Sequence, residues 1–300
     1  MEKPKTVGRP KKPKNNASIA KEGISQTPTD ADNKVEYFTE NVSQFKLLFS
    51  YLEKAKCEFI NMRFTPDDIT IFTKDKDRIS KIMVRINCAD SIWYYCDSEL
   101  WVSVNCSSLE KLFLTINKKQ TSKMRMVIKQ DDLEHLIVLL SNENKESNCR
   151  IALGLFQRDE ELFSIESIIN SKDTIFPVEF TLNSKEFKTI ISSLKKISDV
   201  MVIEKTGDEP LQITSNKIGV QFSEIFKSDS KIDLKTNIGE DNFRAEIVIS
   251  NIIALSKSIV TPSIRIMCNP GLDFIFECVG DNDSEISMSI YTVIRSVAKP

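Results

Sequence analysis

The chain has 300 residues, of which 41% are apolar and 28% charged, a balance typical of one or two globular domains. No apolar run approaches the roughly 18 residues of a membrane-spanning helix, so no membrane partner is expected. The seven cysteines form no Cys-x-x-Cys pair, which indicates free, mostly buried thiols in a reducing intracellular compartment. The formal net charge of −2 means that any contact with nucleic acid requires segregated positive charge.

Residues 1–34 are rich in lysine and proline and poor in large apolar side chains, so they are predicted to be a disordered basic tail. The block Val7–Lys14 surrounds a Gly-Arg-Pro core and resembles an AT-hook, which lies in the narrow minor groove of A·T-rich duplex DNA. Its candidate DNA contacts are Arg9, Lys11 and Lys12. A nuclear-import signal or a merely solubilising tail has the same composition, and both remain open.

After the tail, amphipathic helices alternate with groups of short strands. Phe45, Leu48, Phe49 and Leu52 have the spacing of a helix with one buried stripe. Runs rich in β-branched and aromatic residues follow and predict strands, and a second helix carries Leu109, Leu112, Phe113 and Ile116. More strands are predicted from Met124 to Phe156.

The sequence also contains an internal repeat. A shift of 142 residues, without gaps, places Gln44–Lys46 on Glu186–Lys188 and Asp68–Ile71 on Pro210–Ile213. The first apolar stripe recurs in a third helix, and the second helix recurs in a fourth. We therefore predict an α+β fold of two tandem pseudo-repeated domains, 35–156 and 178–300, separated by a connecting loop at 157–177.

The predicted helices all carry lysine on their exposed sides, although the whole protein is slightly acidic. Lysine suits weak contact with phosphates that does not depend on sequence, because its charge is mobile and lacks the planar fork that reads bases. A solvated helix face is the alternative for any single helix. The candidate DNA-binding lysines are Lys46, Lys54, Lys111, Lys118, Lys119, Lys185, Lys188, Lys195, Lys196 and Lys257.

Catalytic motifs are missing from the sequence. The single histidine, His135, lies in an alternating strand pattern, and neither a Walker-type loop nor G-x-G-x-x-G occurs. Most acidic clusters lie beside turn signals, which favours turn formation over metal binding. We therefore expect no enzyme, cofactor or metal, with a metal-dependent nuclease as an alternative that would use Asp67, Asp68, Asp75, Asp77, Asp131, Asp132, Asp281, Asp283 and Glu285.

The body of the chain, from about Val35 to Ile294, resembles the proliferating cell nuclear antigen (PCNA) family of DNA sliding clamps. The resemblance is carried by short segments in a fixed order, namely Phe45–Leu48 leading into Cys57–Ile60, Tyr95–Leu100 followed by Val102–Asn105, Ser107–Lys111, Glu186–Phe187 with Ile197–Val200, and Lys257 before Thr261–Pro262. It implies a homotrimeric ring whose sheets lie outside and whose four helices line a channel for double-stranded DNA. It also implies that DNA polymerase and other replication and repair proteins dock through short peptides.

The same resemblance assigns two further sets of residues. The partner-peptide pocket would contain Ile79, Leu162, Phe163, Ile165, Ile168, Tyr291, Val293 and Ile294. The subunit interface would join strand Cys149–Phe156 of one chain to strand Lys231–Asn237 of the next, through Cys149, Ile151, Leu153, Leu155, Ile232 and Leu234. The sequence departs from the family at Val293-Ile294, where the family has Ala-Pro.

Two other functional hypotheses remain open. One is a monomeric or dimeric clamp-fold subunit that holds DNA on one basic face without encircling it. The other is a protein that binds DNA through its tail alone. The basic tail, together with the overall sequence, further resembles a viral clamp-like member of this family, which implies the host cytoplasm, although a nuclear location is possible.

Overall fold

The structure is a computed structural model that describes residues 30–114, 123–141, 146–154, 160–170, 175–217, 220–226, 233–237, 242–258, 261–268, 273–279 and 288–295. Several candidate residues lie outside these ranges: Arg9, Lys11, Lys12, Lys118, Lys119, Leu155, Ile232 and the acidic group Asp281 to Glu285. Within the described ranges, no helix has the length and apolar character needed to cross a membrane.

The first half of the chain begins with a strand and a helix and continues through groups of strands around a second helix. Its elements are β1 (Asn33–Thr39), α1 (Val42–Lys54), β2 (Cys57–Phe64), β3 (Asp68–Asp75), β4 (Ser80–Asn87), β5 (Trp93–Cys96), β6 (Leu100–Asn105), α2 (Cys106–Leu114), β7 (Lys123–Lys129), β8 (His135–Ser141) and β9 (Glu146–Ala152). The predicted helices and strands of this half are confirmed in the described residues, and Ile116 and Phe156 lie outside them. The predicted tail ends earlier than expected, because Asn33 and Lys34 already belong to β1, a strand that was not predicted from the sequence.

The second half repeats the same order of elements after an intervening helix, α3 (Glu160–Asn170). Its elements are β10 (Val178–Asn183), α4 (Ser184–Leu194), β11 (Val200–Thr206), β12 (Leu211–Lys217), β13 (Val220–Phe226), β14 (Asp233–Thr236), β15 (Asn242–Val248), α5 (Ile249–Ser258), β16 (Ser263–Cys268), β17 (Asp273–Val279) and β18 (Met288–Arg295). The predicted pseudo-repeat is therefore present in the fold.

The strands form three antiparallel sheets. Their orders are β5-β1-β7-β8-β9, β14-β10-β16-β17-β18-β4-β3-β2-β6, and β13-β12-β11-β15. The nine-stranded sheet joins the two halves, because β18 of the second half pairs with β4 of the first, from Met288 opposite Ile86 to Ile294 opposite Ser80. The five-stranded and four-stranded sheets each repeat one part of this joined sheet.

One hydrophobic core lies between the sheets and the helices α1, α2, α4 and α5. Because successive side chains of a strand point to opposite faces, every second side chain points into this core, as Ile82, Val84 and Ile86 of β4 do. On α1, Phe45 stacks on Phe113 of α2 with ring centroids 6.2 Å apart. Across the two halves, the buried hydroxyl of Tyr51 on α1 lies 2.6 Å from that of Thr292 on β18. The halves therefore share one packed interior.

The connector differs from the prediction of a loop, because residues Glu160–Asn170 form the helix α3. The physical reason is visible in the spacing of Leu162, Ile165, Ile168 and Ile169, which places all four on one side of a helix. This helix packs on β3 and β4, on the opposite side of the sheet from the other four helices.

Candidate functional site

Helices α1, α2, α4 and α5 form a single layer, in which α1 packs against α2 and α5, and α4 packs against α5. Their apolar stripes are buried, so their polar sides form one continuous surface, here called the helical face. Within the helix bounds this surface carries six lysines and three glutamates, a local excess of positive charge in a chain of net charge −2. The predicted segregation of charge is thus present in the described residues.

The structure places each described candidate lysine on the helical face or at its edge. Lys46 and Lys188 are half-buried beside the apolar stripes, and Lys111 and Lys257 are exposed near the ends of α2 and α5. The other described candidate lysines are exposed and lie at helix ends or just beyond them, at Lys54, Lys185, Lys195 and Lys196. These positions allow the ammonium groups to reach a polyanion without uncovering the core.

The opposite side of the nine-stranded sheet, here called the connector face, has its own apolar cluster beneath α3. Phe72 and Met83 are fully buried there, together with Leu162 and Ile165 from the helix. Met267, Ile275, Tyr291 and Val293 complete the buried set. Because neighbouring residues of a strand face opposite ways, Phe72 and Met83 belong to this cluster while Ile71 and Ile82 belong to the main core.

A charged network fixes α3 on the connector face. Arg63 of β2 donates two hydrogen bonds to the carboxylate of Glu166 on α3, at 2.9 and 2.6 Å. Arg85 of β4 donates to the same carboxylate at 3.2 Å and to the side-chain oxygen of Asn170 at 3.3 Å. Paired guanidinium and carboxylate groups of this kind make strong, directional contacts. None of these residues was singled out from the sequence, because their partners come from distant strands.

Aromatic rings support the same network. The guanidinium of Arg63 lies 5.6 Å from the ring centroid of Phe72 and 5.5 Å from that of Trp101, and these two rings stack at 5.7 Å. Such cation–π contacts favour a guanidinium that stays in place. Arg63 is therefore held ready to receive a carboxylate at this position on the sheet.

Burial by itself would raise the pKa of Glu166, but the hydrogen bond from Arg63 and the charges of Arg63 and Arg85 outweigh burial and lower it. A lowered folded-state pKa means that the network stabilises the protein above the ordinary glutamate pKa of about 4.5 and weakens as pH falls through the lower value. Docking of α3 is therefore sensitive to acid.

We expect Glu166→Gln to lower the free energy of unfolding at pH 7 by about 1–2 kcal/mol, because charge-assisted hydrogen bonds are replaced by neutral ones. Urea unfolding of both proteins at pH 7 and pH 3 measures the difference, which should be smaller at pH 3, because the stability that comes from a lowered carboxylate pKa is lost as pH falls below the ordinary glutamate value. A difference that is unchanged between the two pH values would contradict the role given to this ion pair.

A groove of about 380 Å³ lies beside the end of α3 on the connector face. Ile168 and Ile169 form one wall, and the aromatic and aliphatic side chains of Phe176, Ile275 and Tyr291 form other parts of the lining. A charged group closes one side, where Arg265 pairs with Glu179 and Glu277, each at 2.9 Å. The groove combines apolar walls with a few fixed polar groups, as peptide and ligand sites commonly do.

The structure brings together only part of the predicted partner-peptide pocket. Tyr291 and Ile168 line the groove, while Leu162, Ile165 and Val293 lie in the buried cluster beneath α3. Ile294 does not join them, because it is the next residue of a strand and faces the main core. Ile79 lies apart in the turn between β3 and β4, and the side chain of Phe163 is outside the described residues.

Two of the outermost strands of the sheets carry described residues of the predicted subunit interface, and an edge strand presents unpaired backbone groups. β9 is an edge of the five-stranded sheet, with Cys149 half-buried and Ile151 buried, and the half-buried Leu153 follows its end. β14, which carries Leu234, is also an edge. However, β14 occupies the place in its half that β5 occupies in the first, and neither takes part in the junction between halves.

In each of the three described acidic clusters that could have indicated a nuclease, one aspartate makes structural contacts. Asp68 accepts a hydrogen bond from Thr65 at 2.9 Å, and Asp75 accepts from the backbone of Ile79 at 2.8 Å. Asp132 contacts His135 at 2.8 Å and also pairs with Arg150. In the described parts of the chain, no group of three potential metal ligands occurs.

The cysteines are free, as predicted, with six buried and Cys149 half-buried. Burial raises the pKa of the Cys57, Cys106 and Cys278 thiols to about 12. These groups therefore remain protonated at neutral pH, and a protonated thiol is a poor nucleophile.

Two repeated halves, a shared layer of four helices and sheets on the other side together define a DNA clamp fold. The solved PCNA structures of Entamoeba histolytica and Thermococcus kodakaraensis match with TM-scores of 0.71 and 0.72. They cover 89% and 88% of this chain and all of the solved chains, at 14% and 12% identity. The predicted fold class and the resemblance to PCNA-type clamps are confirmed at the level of fold.

Sequence comparison adds nearer relatives. An uncharacterized protein found in several isolates of African swine fever virus is 28% identical over 276 residues, which are 90% of this chain and 91% of the viral protein. PCNA of Chaetomium thermophilum is 23% identical over 194 residues, 64% of this chain and 68% of that protein. No protein-family model matches the chain.

Proposed function

We propose that this protein is a DNA sliding clamp, a non-enzymatic ring that encircles duplex DNA and tethers DNA polymerase and other replication and repair proteins. The observation that carries the proposal is the pairing of β18 with β4 inside the chain, which leaves the equivalent strands of the other sheets, β9 and β13, as free edges. Similarity to PCNA in fold and sequence supports the same class of function.

The internal junction serves as a template for the junction between subunits. In the repeated order of elements, β9 of the first half corresponds to β18 of the second, and β13 of the second half corresponds to β4 of the first. Repeating the junction therefore pairs β9 of one subunit with β13 of the next, a head-to-tail contact that closes into a ring when the rotation fits. This junction replaces the predicted use of strand Lys231–Asn237 and of Leu234. The reason is that β14, at one end of the nine-stranded sheet, corresponds to β5 and not to a strand of the internal junction.

Exposed apolar side chains on β13 support this choice of edge. Val220 is 54% exposed and Ile225 52% exposed, on opposite faces of the strand. Phe222 is partly buried against the core, on the face of β13 that corresponds to the inward, fully buried face of β4. An exposed apolar edge strand makes a monomer prone to aggregation, and pairing with another chain covers that edge. A ring of three chains contains six such junctions, three internal and three between subunits.

The helical face would then line the channel, and its lysines would contact phosphates of any sequence. The tail residues Arg9, Lys11 and Lys12 would add minor-groove contact beside the ring. A cytoplasmic site of replication in an infected host fits the similarity to the viral protein. The groove beside α3 would receive short peptides of partner proteins, with Tyr291 and Ile168 in its lining.

Topological linkage to DNA tests the proposal directly. Light scattering should give three times the chain mass of 34.2 kDa. Protein threaded onto linear duplex should not dissociate at high salt once both DNA ends are blocked by bulky proteins. Cutting the DNA between the blocks should release it. A species of one or two chains that washes off blocked DNA would instead support the non-encircling subunit.

A further inference from the structure

The connector face carries a binding surface that α3 fills but that the fold does not need α3 to build. Phe72, Met83 and Trp101 come from strands β3, β4 and β6, and the two arginines come from β2 and β4. All of these strands are positioned by sheet pairing and by the main core. The surface formed by Arg63, Phe72, Met83, Arg85 and Trp101 is here called the α3 bed.

We propose that the α3 bed is an exchangeable helix-binding site, which accepts from a partner protein an amphipathic helix with one carboxylate placed as Glu166 is placed in α3. This proposal rests on the proposed function, since it names the kind of partner that the connector face of the clamp receives. α3 itself shows what the bed recognises.

The recognition pattern follows from the contacts of α3. Leu162 and Ile165 are 3% and 1% exposed, so two apolar side chains spaced three residues apart fill the hydrophobic part of the bed. Glu166 follows directly and accepts hydrogen bonds from both Arg63 and Arg85. A competing helix therefore needs apolar residues at positions i and i+3 and an acidic residue at i+4.

Charge makes this pattern selective. In the absence of a carboxylate from α3 or a partner, Arg63 and Arg85 would lie side by side on a partly buried surface, with Asp68 near Arg85 at 3.6 Å as the acidic neighbour. Two guanidinium groups against one carboxylate favour an acidic ligand and disfavour a basic one. The preference is thus for acidic amphipathic helices over basic ones.

The helix α3 is suited to exchange because it is weakly held compared with the helices of the main core. With 11 residues it is, like α2, α4 and α5, shorter than the roughly 12–15 that an isolated helix needs for marginal stability in water, so its folding depends on its contacts with the bed. Two of its described side chains, Leu162 and Ile165, are buried, whereas α2 buries three residues, α4 five and α1 six. Regions with few buried side chains open at lower cost than the rest of a protein.

Competition within the chain sets the affinity that a partner needs. A segment joined to its own site acts at an effective concentration on the order of millimolar. A free peptide therefore binds the wild-type chain weakly, whereas a partner brought to the same DNA gains a similar local concentration. Exchange on the connector face would thus favour partners that are already bound at the replication site.

The test uses a labelled synthetic peptide with the sequence of Glu160–Asn170 and the full-length chain. In the chain, Leu162→Ala with Glu166→Gln weakens the resident helix and leaves the bed intact. We expect fluorescence anisotropy to show at least tenfold tighter peptide binding by this variant than by the wild type. Adding Arg63→Gln to the variant should weaken peptide binding at least tenfold.

A peptide in which Glu166 and Ser167 exchange places is the matched control, because its composition and charge are unchanged. It should bind the weakened-helix variant at least tenfold less well than the original peptide. Equal binding of both peptides, insensitivity to Arg63→Gln, or no gain in the weakened-helix variant would each overturn the proposal. Trimer mass and retention on blocked DNA, measured on the same variants, report on the ring independently of peptide binding.

Discussion

Replacing Lys46, Lys111, Lys188 and Lys257 together by alanine is expected to weaken duplex binding by on the order of tenfold to a hundredfold, whatever the DNA sequence. The reason is that each helix of the helical face loses a cation, so that counterions are no longer released there when DNA binds. The plot of log affinity against log salt should become shallower by about 0.9 for each DNA phosphate that the variant no longer neutralises. Fluorescence anisotropy with duplexes of two unrelated sequences, at several salt concentrations, measures both effects.

A matched control removes four lysines from elsewhere on the described surface and so makes the same change in net charge. Suitable residues are Lys34, Lys123, Lys129 and Lys235, which lie on strands and pair with acidic side chains. This variant should bind duplex nearly as the wild type does, with an almost unchanged salt slope. Equal weakening in the two variants would show that net charge, and not the helical face, determines binding.

The second large effect concerns the ring. Val220→Glu combined with Ile225→Glu is expected to convert the proposed trimer to a single chain at micromolar concentration, because it places two unpaired charges on the edge strand β13 that we propose is buried between subunits. Burying unpaired charges costs several kcal/mol, and an edge contact offers nothing to offset that cost. Light scattering after size separation measures the mass directly.

The paired control is Phe59→Glu with Ile92→Glu. Phe59 and Val220 are both 54% exposed, and Ile92 and Ile225 are both 52% exposed, so the two variants remove similar fractions of exposed apolar side chain. The control should remain trimeric, since Phe59 lies on β2 and Ile92 precedes β5. A trimer that survives the β13 substitutions would exclude β13 as the subunit edge and return attention to β14.

The groove beside α3 and the α3 bed lie on the same face but differ in chemistry. The groove beside Tyr291 presents aromatic and aliphatic walls with the Arg265 ion pairs at one side. The bed presents a guanidinium pair supported by Phe72 and Trp101. Because Ile168 and Ile169 of α3 form a wall of the groove, movement of α3 would change both sites together.

Local patterns in the sequence were sufficient to predict the class of fold. The apolar stripe of Phe45, Leu48 and Leu52, its recurrence 142 residues later and the alternation in the strands predicted the helices, the strands and the doubled order of elements. These features depend on residues close in the chain, where periodicity and burial are directly linked. The lysines of the helical face follow from the same periodicity, because they lie beside or opposite each apolar stripe.

The connector and the assembly edge could not be predicted in the same way. The helical spacing of Leu162, Ile165 and Ile168 was present in the sequence, but the pairing of Glu166 with Arg63 and Arg85 joins residues 81 to 103 positions apart. The choice of β13 over β14 depends on which strands remain unpaired after the halves join. Contacts between distant residues leave no local pattern, so the tertiary structure alone determined the α3 bed and the free edges.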